Sequence, residues 1–185
     1  KALRSVLDDI EDLSETEQKL LQLARVYNSP QNIPLSPTRL DELLWLSTEQ
    51  FQKQHPEFSV TLELGAMPET TDSLLVAANE PLLRLAILNL MSNACKYSPD
   101  HAVRLQAVFQ ENARHVISVQ NNGAGIPPEE IALIFEPFYR SPRHISLKGT
   151  GIGLSLVKSI LNLHQIRLSV ECRESGGTVF RLTFP

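Results

Sequence analysis

Two glycine-rich turns constrain this chain more than anything else in it: NNGAGIP at 121–127 and GTGIGL at 149–154. Gly123 and Gly125 stand one residue apart, straight after the alternating run RHVISVQN, which reads as a strand. That spacing suits a backbone that must come close to a ligand. No Gly-Lys-Ser/Thr follows, so the first turn is not a P-loop. In the second turn Gly149, Gly151 and Gly153 open a helix, which offers free N–H groups to an anion.

The remaining periodicities supply the scaffold. Residues 1–27 read as a helix, with Leu3, Val6, Ile10, Leu13, Leu20 and Ala24 at 3–4 spacing and Glu17 interrupting the stripe. This is the seam of a coiled coil or bundle, with a surface helix packed on its own domain as the alternative. NSPQNIPLSP (28–37) has prolines and no periodicity, and reads as a linker. Ser36 is placed to cap a second helix, with Pro37 in its first turn and Leu40, Leu43, Leu44 and Phe51 along one face. FSVTLEL (58–64) alternates as a strand, and SLLVAAN (73–79) reads as a second, more buried one. Asn79 caps a helix from about Pro81 to Tyr97. VRLQAVFQ and RHVISVQN flank a turn near Glu111-Asn112. PPEEIALIF predicts a short helix, residues 139–148 a mobile lid, and IRLSVECRESGGTVFRLTFP a hairpin turning at Gly176-Gly177. The order α-β-β-α-β-β-loop-α-β-β after the linker predicts an α+β fold. Its form is a two-layer α/β sandwich, with a mixed sheet and helices on one face.

Composition narrows the function. The 185 residues suit one compact domain, or one with a helical appendage, and 42% hydrophobic residues can build a core. A net charge of −4 without a long basic run argues against nucleic acid and anionic membrane as partners. No apolar run approaches the ~20 residues of a membrane span, and no signal peptide is expected. Cys95 and Cys172 lie far apart without metal-type spacing, as reduced thiols do. The chain begins at Lys1 inside a helical pattern, so it is expected to be a piece of something longer.

The helix PLLRLAILNLMSNACKY is apolar almost all round, yet Asn89, Asn93 and Lys96 fall on one stripe, with Tyr97 beside it. Buried carboxamides and an ammonium are costly without partners. They either cap backbone groups of neighbouring loops or form a functional site, since Asn oxygens can ligate Mg²⁺ and Lys96 can meet a phosphate. Two glycine turns and this stripe, in one fixed order, speak for the second reading.

These segments resemble the boxes of sensor histidine kinases: NLMSNACKY the N box, NNGAGIP the G1 box, FEPFYR the F box and GTGIGLSLVKSI the G2 box. The resemblance implies the Bergerat-type ATP-binding fold shared with gyrase, heat-shock chaperones and mismatch-repair ATPases, and ATP and Mg²⁺ as cofactors. The first helix, with LLQLARVY, resembles the second helix of the dimerisation and histidine-phosphotransfer hairpin. That implies a hairpin helix at 1–28, a linker at 29–37 and a catalytic ATP-binding domain at 38–185. By the resemblance Asn93 would ligate Mg²⁺ with Asn89 in support. Lys96 would contact the phosphates, and Tyr97 would pack by the ribose or adenine. Gly123 and Gly125 would let the chain turn under the base. Phe135 and Phe138 would anchor the lid, with Arg140 available to a phosphate. Gly149, Thr150, Gly151 and Gly153 would cradle the phosphates, and Ile126, Ile152 and Leu154 belong to the same nucleotide-binding set.

Ala124 replaces a common proline, and Asn121 replaces the family's usual aspartate, the acceptor of the adenine amino proton. A neutral oxygen still accepts, with a loss of roughly 1 kcal/mol of charge assistance. On these grounds Asn121→Asp is expected to tighten ADP. The Asn, able to turn over and donate, is expected to tolerate a carbonyl-bearing base.

Asn89 stands where water-splitting relatives of the superfamily carry a glutamate, and a carboxamide is no general base. The sequence thus favours phosphoryl transfer to histidine over hydrolysis. His55, His101, His115, His144 and His164 all lack the context of a phospho-acceptor and read as surface or helix-end residues. The acceptor is expected upstream, on the hairpin's first helix. The implied partners are that hairpin, as a homodimer in the full-length protein, and a response regulator receiver domain. The implied setting is the cytoplasmic portion of a membrane-anchored sensor. The competing readings are a nucleotide-sensing pseudokinase, and an anti-sigma-type serine kinase, which lacks the bundle-like first helix.

Overall fold

The computed structural model describes residues 2–28, 30–110, 114–144, 147, 149–173 and 176–185, without the side chains of 2–9, 11, 12 and 15. The expected Glu111-Asn112 turn, part of the expected lid and the seam side chains Leu3 and Val6 lie outside the described residues.

Four helices, α1 (Ala2–Asn28), α2 (Leu40–Gln54), α3 (Glu80–Lys96) and α4 (Gly153–Leu163), accompany seven strands: β1 (Ser36–Arg39), β2 (Ser59–Leu64), β3 (Leu75–Ala78), β4 (Ala102–Val108), β5 (Val116–Gln120), β6 (Arg167–Cys172) and β7 (Thr178–Thr183). The main sheet runs β2-β4-β5-β7-β6. β2 is parallel to β4, and the other pairs are antiparallel. β4 shows the pleat directly: Val103, Leu105 and Ala107 are buried, while Arg104, Gln106 and Val108 point outward. α2, α3 and α4 lie side by side and contact the sheet, completing the two layers. α3 is apolar all round because it is central. Leu83, Ile87, Leu90 and Met91 are all fully enclosed, each contributing about 2 kcal/mol by burial.

Two expectations need correction. Ser36 and Pro37 do not start α2; they form β1, antiparallel to β3 in a two-stranded sheet of their own. Proline lacks an N–H and is tolerated in so short an edge, and α2 begins at Leu40 with no side-chain cap. The segment 73–79 is the more buried of the two expected strands, as read from the sequence, with Leu74 and Ala78 enclosed, although β3 lies outside the main sheet. PPEEIALIF forms two short 3₁₀ turns, Pro128–Glu130 and Leu133–Phe135, rather than one helix.

Asn79 does cap α3, its Oδ1 accepting from the Leu82 N–H at 3.3 Å. Its Nδ2 donates to the Pro34 carbonyl at 3.1 Å, which ties the preceding segment to the helix start. α1 rests on α4 through a face that buries Leu23 and Val26, while Ile10, Leu13 and Leu20 of the expected seam are exposed.

Candidate functional site

The C-terminal half of α3, the loop after β5, the segment 139–144 and the β6–β7 turn enclose a cavity of about 410 Å³. That lies within the roughly 300–1,000 Å³ range of small-molecule sites. Asn93, Tyr97, Asn121, Gly123, Gly125, Ile126, Arg140 and Leu154 all line it, as expected from sequence.

The glycines are there for close packing. A Cβ on Gly123 would collide with the Tyr97 carbonyl oxygen, and one on Gly151 would run into the backbone of Phe138. Gly125 and Gly151 have φ of +80° and +74°, the left-handed region that favours glycine.

Both asparagines of the loop hold it in place. Asn122 Nδ2 donates to Asp100 at 2.9 Å, and the Asn122 N–H donates to Ser98 Oγ at 3.3 Å. The hydroxyl of Ser98, followed by the amide of Asn122, holds the Asp100 carboxyl below the usual carboxylate range. Asn121 is buried. Its Nδ2 donates to the Ala94 carbonyl of α3 at 3.1 Å, and its Oδ1 accepts from the Thr178 N–H of β7 at 2.9 Å. A donor facing a carbonyl and an acceptor facing an N–H fix which way the carboxamide points. The free turnover expected of Asn121 is therefore absent.

Other expected residues lie outside the lining. Ile152 is fully enclosed in the core, supporting the glycine turn from beneath, so its side chain is no ligand contact. Asn89 is buried, its Nδ2 spent on the Leu85 carbonyl at 2.8 Å, and it lines a separate groove between α1, α2 and α3. Gly153 abuts it: a Cβ there would stand 3.0 Å from Asn89 Oδ1 and 3.9 Å from Asn93 Nδ2. The start of α4, which has no side-chain cap, thus faces the Asn89–Asn93 stripe. Gly149, Thr150 and Gly151 lead into it, and Gly151 accepts from the Phe138 N–H at 3.0 Å. Lys96 is exposed beyond the cavity lining. Phe135 packs on the core with Lys158 Nζ 5.7 Å from its ring centre, whereas the Phe138 ring is 64% exposed, so Phe138 anchors through its backbone. Arg140 donates to the Leu147 carbonyl.

Sequence reasoning missed several wall residues. Thr178 and Arg173 come from the β6–β7 turn; Arg173 donates to the Asn121 carbonyl at 3.3 Å. The clue was the pair Gly176-Gly177, since a Cβ on Gly177 would overlap the Asn121 carbonyl oxygen. His144 meets Tyr97 edge-on at 5.2 Å. Cys172 sits at the mouth, its Sγ 3.2 Å from both the N–H and the carbonyl oxygen of Ile126.

A glycine-lined cavity beside an uncapped helix start is a phosphate-bearing ligand's geometry, and the comparison with known families decides which. The family described as histidine kinase-, DNA gyrase B-, and HSP90-like ATPase matches residues 78–185. The chain belongs to this family. The expectation of a sensor histidine kinase's ATP-binding domain is thereby borne out, as is the mixed-sheet fold. The signal transduction histidine-protein kinase/phosphatase MprB of Mycobacterium leprae is 34% identical over 172 residues, 92% of this chain and 31% of that protein. The adaptive-response sensory kinase SasA of Synechocystis is 29% identical over 169 residues, 91% of this chain and 43% of that protein. Among solved structures, a mycobacterial sensor histidine kinase MprB superposes with a TM-score of 0.68 at 25% identity, covering 82% of this chain and 97% of that one. The chain spans less than half the length of these curated relatives.

The residues present fit an adenine nucleotide of this ATPase family: Gly123 and Gly151, where a Cβ has no room, the buried carboxamide of Asn121, and Arg140 on the wall. For Mg²⁺ the fit is limited to oxygen donors of Asn93 and Asn89. Among the described residues no cluster of His, Cys, Asp and Glu could hold a metal, so any metal would be bound largely through the phosphates. Among the described residues no helix is long and apolar enough to cross a membrane.

Proposed function

We propose that this chain is the catalytic, ATP-binding part of a sensor histidine kinase, which passes the γ-phosphoryl group of ATP to a histidine on a dimerisation hairpin. The observation that carries this is the cavity itself, closed at one end by the Asn121–Thr178–Ala94 bonds and facing, at the other, the uncapped start of α4. Bound ATP supplies the phosphoryl group, and Mg²⁺ neutralises its charge. Asn121 offers Oδ1 to the base amino group, and Tyr97 walls the sugar end. The N–H groups at the start of α4, with Arg140, orient the phosphates, and Asn93 offers an oxygen to the metal. Asn89 and Gly153 hold α3 and α4 at a fixed distance. None of these groups is a general base, which suits transfer to an imidazole whose own lone pair attacks.

Residues 1–28 act in this reading as the second helix of the hairpin, 29–37 as a linker and 38–185 as the catalytic domain. The exposed Ile10, Leu13 and Leu20 are available to the rest of the hairpin and, through it, to a second subunit. The relay runs on to a response regulator receiver domain, with the parent a membrane-anchored sensor and this part in the cytoplasm. Titration calorimetry with ADP and Mg²⁺ tests the site, and labelled ATP tests the chemistry. The chain alone stays unlabelled, and a supplied acceptor hairpin becomes labelled. Absence of any heat at millimolar ADP refutes the reading, as does an acid-labile label on one of the chain's own five histidines.

A further inference from the structure

We propose that the Asn121 carboxamide is locked in one orientation by two backbone groups, the Ala94 carbonyl and the Thr178 N–H. In this chain the carboxamide is required for that lock, so the family's aspartate would be the worse residue here. The proposal rests on reading the cavity as an adenine-nucleotide site, and it reverses what the sequence alone suggests for Asn121→Asp.

The carboxamide spans two elements. Nδ2 reaches the last turns of α3 at Ala94, and Oδ1 reaches the first residue of β7 at Thr178. The main chain of Asn121 repeats the second link, its N–H donating to the Thr178 carbonyl at 3.1 Å. Turning the carboxamide over would set oxygen against the Ala94 carbonyl and an NH₂ against the Thr178 N–H, losing both bonds in a buried place. Oδ1 keeps a second lone pair, and Asn121 lines the cavity. Nδ2 keeps a second proton in the same way, so what the two bonds fix is the orientation of the carboxamide.

An aspartate can keep the Thr178 bond but has no proton for Ala94. A carboxylate there faces a carbonyl in a buried site, while the Ala94 oxygen loses its partner. Arg173, which donates to the Asn121 backbone carbonyl at 3.3 Å, is the cation placed against this residue, and it offsets only part of the deficit. A protonated carboxyl restores the pattern, with O–H donating to Ala94 and C=O accepting from Thr178. The introduced carboxyl thus titrates higher in the fold than in the unfolded chain, and the variant regains stability as pH falls through that raised value.

The test uses the whole chain with Asn121→Asp and Asn121→Ala. Without ligand at pH 7.5, Asn121→Asp melts about 5 °C below the parent. That deficit shrinks between pH 7.5 and 5.5, whereas the deficit of Asn121→Ala stays constant. With ligand, Asn121→Asp binds ADP about tenfold more weakly than the parent at pH 7.5. An Asn121→Asp protein as stable as the parent, or a deficit indifferent to pH, overturns the lock. A parent that does not bind ADP overturns the nucleotide reading, and the ligand-free pH signature still decides the lock separately.

Discussion

The backbone N–H of Asn79, the cap of α3, donates to Nε2 of His164, the residue that ends α4, at 2.9 Å. The other ring nitrogen lies 2.7 Å from the Ile160 carbonyl, so Nδ1 carries the proton and the ring is neutral. A histidine that reads as an ordinary helix end is thus a buried joint between the two helices that flank the site.

Burial pushes the His164 pKa down, against the raising effect of its two backbone partners, and burial likewise pushes His115 down. Both rings stay neutral in the fold, while the unfolded chain takes up their protons below about pH 6.5. Stability from this source is full above that pH and is lost as pH falls. Urea unfolding should give its highest midpoint above pH 7 and a falling one toward pH 5.5. His164→Ala should cost about 2 kcal/mol at pH 7.5 and flatten the slope. A parent profile that is flat over this range contradicts the assignment.

Gly177 and Gly176 share positive φ, +98° and +90°, but only Gly177 has the Asn121 carbonyl against it; the nearest atom to a Cβ on Gly176 is 3.4 Å away. Gly177→Ala should therefore cost about 3 kcal/mol and Gly176→Ala about 1 kcal/mol. Denaturant midpoints of the two variants measure the difference. Equal losses would mean that φ alone matters at this turn.

The two thiols should separate cleanly. Cys95, in the last turn of α3, is enclosed, and burial, then the negative charges of Asp100 and Glu57, push its pKa up to about 12. Cys172 is exposed on the cavity wall. A maleimide should modify one thiol per chain, at Cys172, and ADP should slow that reaction. Cys95 should react only on unfolding. Modification at Cys95 in the folded protein would contradict its placement.

Residues 139–144 wall the cavity; Tyr139 N–H donates to the Glu136 carbonyl, and His144 N–H closes a turn within the segment on the Ser141 carbonyl. Their amide exchange should slow when ADP and Mg²⁺ are added. Unchanged exchange there, with exchange slowed at Gly123 and Gly125, would confine the ligand to the base end.

The local sequence determined the elements and most of the ligand-facing backbone. The Asn79 cap, the strand alternation of β4 and the glycine turns follow from rules that act over a few residues, so they can be read without knowing the fold. Only the tertiary structure decided what those elements meet. Ser36 and Pro37 look like a helix start until β3, some forty residues on, pairs with them. Ile152 sits inside a glycine motif yet belongs to the core. Asn121 reads alone as a weakened aspartate, but its partners lie 27 and 57 residues away. Its meaning depends on a carbonyl from α3 and an N–H from β7, and hydrogen-bond partners are fixed by which backbones folding brings within 3 Å, a distance that no local periodicity encodes.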